Sequence, residues 1–317
     1  MRVALTRLLD EIAIRAAASK MPKPDGSGGR LAEALELISR PDFVPAEIEP
    51  AKVEFLDGNR FQFATPHLTP WEKNNRVPGR LYRCGERWHE KPAIILSHGW
   101  NDIINHYCRY PIFARQINMH GFNAVALEAP FHFQRRPREL GAASNFLSPD
   151  ILRTAQAIRQ AIAETRACAR WLRHCGCPSV GLTGISLGGW LGGLTICNDP
   201  GFDCAVLLEP VARLDRLVGE VRFCESLRPA WAGQKITVGK LNLTENLPAI
   251  PKDKILLIES IYDSFVPPET MEELWKAWGE PQIWRMKHGH ISVLASPGLN
   301  GRIIRWMAPR LNAPGAK

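Results

Sequence analysis

The chain has 317 residues, 45% hydrophobic and 23% charged, and carries a net charge of +8 from 40 basic against 32 acidic residues. These proportions exclude a largely disordered chain, and the length suits one large α/β domain with additions better than two equal domains. The positive charge is scattered, and its one tight cluster, 134–138, lacks the interleaved aromatics of a nucleic-acid-binding stripe, so no nucleic-acid partner is expected.

The first twenty residues, "MRVALTRLLDEIAIRAAASK", predict an amphipathic helix. Leu5, Leu8, Leu9, Ile12 and Ala16 share one face, and Arg7–Glu11 and Glu11–Arg15 are i,i+4 pairs. Asp10 and Glu11 argue against a signal peptide. The apolar face is expected to pack on the domain or on a second copy of the chain, giving a homo-oligomer. The Gly- and Pro-rich stretch 21–29 reads as a joint, and "RLAEALELISR" as a second short helix. Residues 1–45 therefore form an N-terminal helical extension, and 46–317 the main domain.

Residues 46–86 read as strands with turns. Asp57-Gly58 marks a hairpin and "GRLYRCGE" a further strand. From residue 92 short apolar runs recur: "PAIILSHG", "NAVALEAP", "SVGLTG", "DCAVLLEP" and "KILLIESIYD". Strands covered on both faces lose polar alternation and take this form. Helical segments separate them. The clearest follows Ser148, the expected cap, with Pro149 in its first turn, and carries an apolar stripe through Ile151, Ala155, Ile158, Ile162, Ala169 and Leu172. Strand and helix in alternation predict a mostly parallel sheet with helices on both sides. The segment 211–253 breaks the rhythm and reads either as a cap insertion over the sheet edge or as one helix with a long loop. No apolar run reaches the roughly 18 residues of a membrane span.

Eight cysteines are present, several inside apolar runs, with no CxxC pair; Cys175-Gly-Cys177 is a poor zinc signature. Buried free thiols and a cytoplasmic location are expected.

In open α/β sheets, sites form beyond the C-terminal ends of the strands. Ser186 stands there, in Gly184-Ile185-Ser186-Leu187-Gly188, directly after "SVGLTG" and before a small-residue helix. A serine on such a turn takes a strained backbone, and glycines on either side let strand and helix approach. Its hydroxyl needs a base. His290, after the last strand "PQIWRM", is the candidate, with His288 as rival. Asp263, in "YDSF" after "KILLIES", completes the order Ser, acid, His; Glu259 and Glu209 are rivals for the acid. The developing oxyanion needs fixed donors, expected to be the N–H groups of Leu187 and of Trp100. His98 is expected to bond backbone in the same loop. Trp100, Phe131 and Phe133 are expected to contact substrate, and Arg135, Arg136 or Arg138 to meet an anion, unless that loop packs with acidic neighbours.

"LSHGWND", "GISLGG", "YDSFVPPE" and the final "GH" together resemble the α/β-hydrolase superfamily over residues 92–311. "LEAPFHFQRRPRELG" and the long helix before "GISLGGW" further resemble a less-characterised group of α/β-hydrolase domain-containing proteins. The resemblance implies an eight-stranded, mostly parallel sheet, a Ser186–Asp263–His290 triad, an acyl-enzyme formed from a small-molecule ester or acyl substrate, and neither cofactor nor metal. Activity is then expected to rise with pH through about 6.5–7 as the histidine loses its proton. Peptidase, thioesterase and acyltransferase chemistry would use the same residues, and a binding protein on the same fold is the non-catalytic alternative.

Overall fold

The computed structural model describes residues 3–23, 30–141, 145–231 and 239–312, so most of the expected joint at 21–29 lies outside the described residues. Its strands are β1 (Glu54–Asp57), β2 (Arg60–Ala64), β3 (Arg76–Tyr82), β4 (Ala93–Ser97), β5 (Asn123–Leu127), β6 (Val180–Ile185), β7 (Cys204–Leu208), β8 (Ile255–Ser260) and β9 (Gln282–Met286). The helices are α1 (Val3–Ala18), α2 (Leu31–Ser39), α3 (Tyr110–Met119), α4 (Ile151–His174), α5 (Leu187–Asn198), α6 (Leu214–Glu220), α7 (Arg228–Trp231), α8 (Pro268–Ala277) and α9 (Leu299–Leu311).

All nine strands form one sheet in the order β1-β2-β3-β5-β4-β6-β7-β8-β9. From β5 to β9 the pairing is parallel, and β1 to β3 add an antiparallel meander that joins through β3 and β5. The count is nine rather than eight because the turn at Gly58 folds an exposed four-residue edge strand, β1, onto β2. Every residue of β6, β7 and β8 is buried. That is the physical origin of their unalternated apolar runs: α4 and α5 pack on one face and α3 and α9 on the other.

Two local expectations are corrected. Helix α4 starts at Ile151, and its cap is Asp150, whose carboxylate accepts the N–H of Arg153; Ser148 instead accepts the N–H of Asp150. Asp150 is favoured there because its carboxylate also meets the guanidinium of Arg153, at 3.3 Å, and that of Arg30. Of the two packings expected for the α1 stripe, the one on the domain is corrected: the stripe faces outward, with Leu5, Leu8 and Ile12 47%, 55% and 57% exposed, and the buried residues are Thr6, Asp10 and Ile14. The surface beneath α1 is made of loops with backbone N–H groups to satisfy, and a polar residue serves them better than leucine.

Between β7 and β8 the described parts of 211–253 form short helical pieces, α6, a 3₁₀ turn at Arg222–Leu227 and α7, then three further 3₁₀ turns, rather than one helix with a loop. Helix α1 packs against Arg222–Leu227 and against the turn Ser292–Ala295, and α2 packs on α4. Because β4 to β9 run parallel, the residues that follow their C-terminal ends share one edge: Ser186 after β6, Glu209 after β7, Asp263 after β8 and His290 after β9.

Candidate active site

Ser186 has φ 55° and ψ −116°, a conformation outside the allowed regions for a side chain with a Cβ. Such strain costs about 1–3 kcal/mol and persists only where the surroundings over-determine it. Here they do. The Ser186 N–H donates to Leu208 O at 2.9 Å, and its carbonyl accepts the Trp190 N–H at 2.9 Å. A Cβ on Gly184 would lie 2.2 Å from Gly188 O, and one on Gly188 2.2 Å from Ser97 O. Only glycine fits at either position. The hydroxyl therefore sits at the start of α5, where unpaired N–H groups favour negative charge.

His290 donates from Nδ1 to Asp263 Oδ2 at 2.7 Å, and the two side chains are buried. Asp263 is itself anchored: Oδ1 accepts the N–H groups of Phe265, at 2.7 Å, and Val266, at 2.8 Å. Phe265 stacks on the imidazole, centroids 4.7 Å apart. Of the rivals, His288 approaches Ser292 Oγ at 3.4 Å and does not border the cavity at Ser186. Glu259 pairs with Arg285 at 2.9 Å. Glu209 is the closer competitor, with Oε2 3.2 Å from His290 Nδ1. It is fully buried at φ 46°. Its carboxyl is raised well above the ordinary range, first by burial and further by the charge of Asp263, with His290 opposing. The imidazole is pushed the other way from its surroundings. Burial alone would lower its pKa, but Asp263, Glu209 and, more weakly, Asp10 override burial and raise it.

Glu209, Asp263 and His290 are also the one group among the described residues whose donor atoms cluster closely enough for a metal, within 4.8 Å. A 2.7 Å separation between two of those atoms is a hydrogen bond, in which the histidine satisfies the carboxylate directly.

Ser186 and His290 border the same cavity, of about 350 Å³. Ala13, Ala17, Ile104 and Leu294 give it apolar walls, and Lys20 and Arg109 are its cations. Ser186 also borders a recess of about 20 Å³, lined by Trp100, Leu187, Leu217 and Phe223. Trp100 thus stands where the sequence expected it. The other two expected substrate contacts do not. Phe131 is fully buried, with its ring edge-on to Trp71 at 5.3 Å and its N–H held by Asn74 Oδ1 at 2.8 Å. Phe133 packs among His98, His106 and Tyr107 at 4.7–5.4 Å. Neither borders the cavity or the recess at Ser186, because the loop after β5 folds back into the core instead of rimming the site. Arg135 explains why: it is fully buried and clamps Glu164 of α4 through two 2.6 Å bonds. Of the cationic residues in the 134–138 cluster, Arg135 is thereby withdrawn from the surface, while Arg136 is half-buried and Arg138 exposed. His98 behaves as expected, bonding Gly99 O at 2.8 Å and accepting the Ala129 N–H on Nε2 at 3.0 Å. That acceptor role requires a neutral ring, consistent with burial lowering its pKa to about 4.

Three residues at the site were not singled out in the sequence. Phe265 lies two positions beyond Asp263, so proximity to the acid was the available signal. Phe223, from the 211–253 segment, links Trp100, at 6.1 Å, to Phe265, at 5.6 Å. Asp10 belongs to α1, where with Glu11 it served only as an argument against a signal peptide.

The model of the family "alpha/beta hydrolase domain containing 18" matches residues 61–207. The Pyrococcus furiosus esterase Pf2001 superposes with a TM-score of 0.54 at 16% identity, covering 84% of this chain and 100% of that one. The Pyrococcus horikoshii acylaminoacyl peptidase superposes at 0.58 and 14% identity, over 84% of this chain and 44% of its own. The chain has the α/β-hydrolase fold. Two uncharacterized Mycobacterium tuberculosis proteins, Rv2627c and MT2702, are each 30% identical over 239 residues, which is 70% of this chain but 54% of theirs. The chain spans about half the length of these curated relatives. Among its described residues no helix is long and apolar enough to cross a membrane.

Proposed function

We propose that this α/β-hydrolase is a serine hydrolase that cleaves carboxylic esters through Ser186, His290 and Asp263. One observation carries the reading: His290, held at Nδ1 by Asp263 at 2.7 Å, borders the cavity onto which the strained Ser186 opens. With Nδ1 committed to the carboxylate, Nε2 is the atom left to take the serine proton. The hydroxyl oxygen attacks the ester carbonyl while its proton passes to Nε2. The tetrahedral oxyanion is received by the N–H groups of Leu187 and Trp100, both on the recess at Ser186. The imidazolium then protonates the leaving alcohol, and water activated by the same ring releases the acid. Asp263 stabilises the imidazolium without taking its proton.

The two spaces flanking Ser186 differ in size. The recess has room for about one water, so it takes a short group such as an acetyl methyl, and the larger cavity takes the bulkier half of the ester. The described parts of 211–253 act as a partial cap by supplying Leu217 and Phe223 to the recess.

The test is a fluorophosphonate probe and a panel of aryl esters. Wild type is expected to label covalently and turn over short-chain esters. Ser186→Ala is expected to lose labelling and several orders of magnitude in rate, with about 10³–10⁴-fold over water surviving. A loss of less than about tenfold would overturn the assignment.

A further inference from the structure

The loops that carry the acid and the base are tied together by a residue from outside the core of the fold. Asp10, on α1, is fully buried. Its Oδ2 accepts the N–H of Ser264 at 3.1 Å and of His290 at 2.9 Å, and its Oδ1 accepts that of Ile291 at 3.0 Å. Ser264 directly follows Asp263. One carboxylate thus spans the loop after β8 and the loop after β9.

The sheet alone does not do this. The β8–β9 ladder ends at Ser260 and Met286, and two further bonds, Ile261 N–H to Met286 O and Tyr262 N–H to His288 O, both 3.0 Å, extend it only as far as residue 262. Beyond that point Asp10 takes over. Gly289 makes the approach possible: a Cβ there would lie 2.6 Å from Asp10 Oδ2. A helix needing only to pack would place an apolar residue at position 10. A buried carboxylate carries a desolvation cost that its three amide donors offset in part.

The geometry points to Asp10 as a positioning residue: it sets the relation of Asp263 to His290 and makes the N-terminal helix part of the active site, with Ala13, Ala17 and Lys20 as one wall of the cavity. Its kinetic consequence rests on the hydrolase reading above, whereas its structural consequence does not.

The experiment compares the full-length Asp10→Asn and Gly289→Ala variants with wild type by aryl-ester kinetics, amide hydrogen exchange and NMR titration of the His290 ring. Asp10→Asn replaces one acceptor oxygen with a donor. It is expected to lower kcat by about ten- to a hundredfold with KM nearly unchanged, as a small misplacement of reacting groups does. Exchange at 264, 290 and 291 is expected to accelerate while β6 and β7 stay protected. The His290 midpoint is expected to fall in Asp10→Asn, since Asp10, Asp263 and Glu209 are the carboxylates that act on the ring. Gly289→Ala pushes on the same carboxylate from the loop side. It is expected to reproduce the kcat loss and faster exchange without deleting a charge, and it carries the test alone if Asp10→Asn does not fold. Wild-type kcat and exchange in a folded variant would overturn the inference. Altered exchange and ring titration in a chain whose wild type never labels at Ser186 would uphold the tie and sink the hydrolase reading instead.

Discussion

His290 is surrounded by more negative potential than a single acid would supply. Asp263 bonds its Nδ1 at 2.7 Å and Glu209 stands 3.2 Å away, so the proton is held more tightly than in water. The ring acts as a base only when neutral. Because its folded pKa is raised, the acid limb of kcat/KM is expected above about pH 7 rather than at the 6.5–7 of an unperturbed imidazole. The same shift stabilises the fold fully below the unfolded pKa, and that contribution is lost as pH rises through the folded one. A pH profile of aryl-ester hydrolysis beside an NMR titration of His290 checks both the position and the direction. A limb below about 6.5 would show that neither carboxylate acts on the ring. Glu209→Gln separates their parts: removing that carboxylate is expected to move the limb to lower pH while the Asp263 bond keeps it above that of a free imidazole.

At the scale of elements, the site depends on how closely β6, α5 and the end of β4 approach. Gly188→Ala would drive a methyl to 2.2 Å from Ser97 O. That cannot be relieved by turning a side chain, so the strand-helix turn must shift, and probe labelling at Ser186 is expected to disappear. Gly121, at φ 87° with open space for 4 Å around the position a Cβ would take, is the contrasting site. There alanine meets only backbone strain and is expected to leave labelling intact. The loop after β5 shows the same logic through charge. Arg135 bonds Glu164 twice at 2.6 Å and also Glu128 O and Asn74 O, entirely out of water. Glu164→Ala would strand that guanidinium and is expected to destabilise the protein by about 3–5 kcal/mol, read from denaturant midpoints at constant m-value.

For the molecule as a whole, all eight cysteines are free thiols; Cys168, Cys177, Cys204 and Cys224 are buried and Cys108 is exposed. Burial pushes the Cys177 and Cys197 thiols up to about 12 and raises Cys168, Cys204 and Cys224 as well. A thiol reagent is therefore expected to modify Cys108 first in the native protein and to reach eight only after unfolding, while reductant leaves Tm unchanged. Two fast-reacting equivalents from buried positions would contradict the packing described.

The α/β class, the mostly parallel sheet and the tight turn at Ser186 were readable from the chain, because each is a local pattern: an unalternated apolar run, a helical stripe, glycines two residues either side of a serine. His290 was preferred to His288, and Asp263 to Glu209, on their places after the predicted strands and on the final "GH", but such patterns carry no distances. Those residues lie close together in sequence or at equivalent strand ends, and only their distances from one another and from the cavity separate them. The same limit explains Phe131 and Phe133, whose loop reads as a rim in sequence but is pulled inward by Arg135. It explains α1 most clearly. Its apolar stripe predicted a helix correctly but not which face turns in, since that is decided by the N–H groups of loops more than 250 residues away, and their demand for an acceptor outweighs the burial of three apolar side chains.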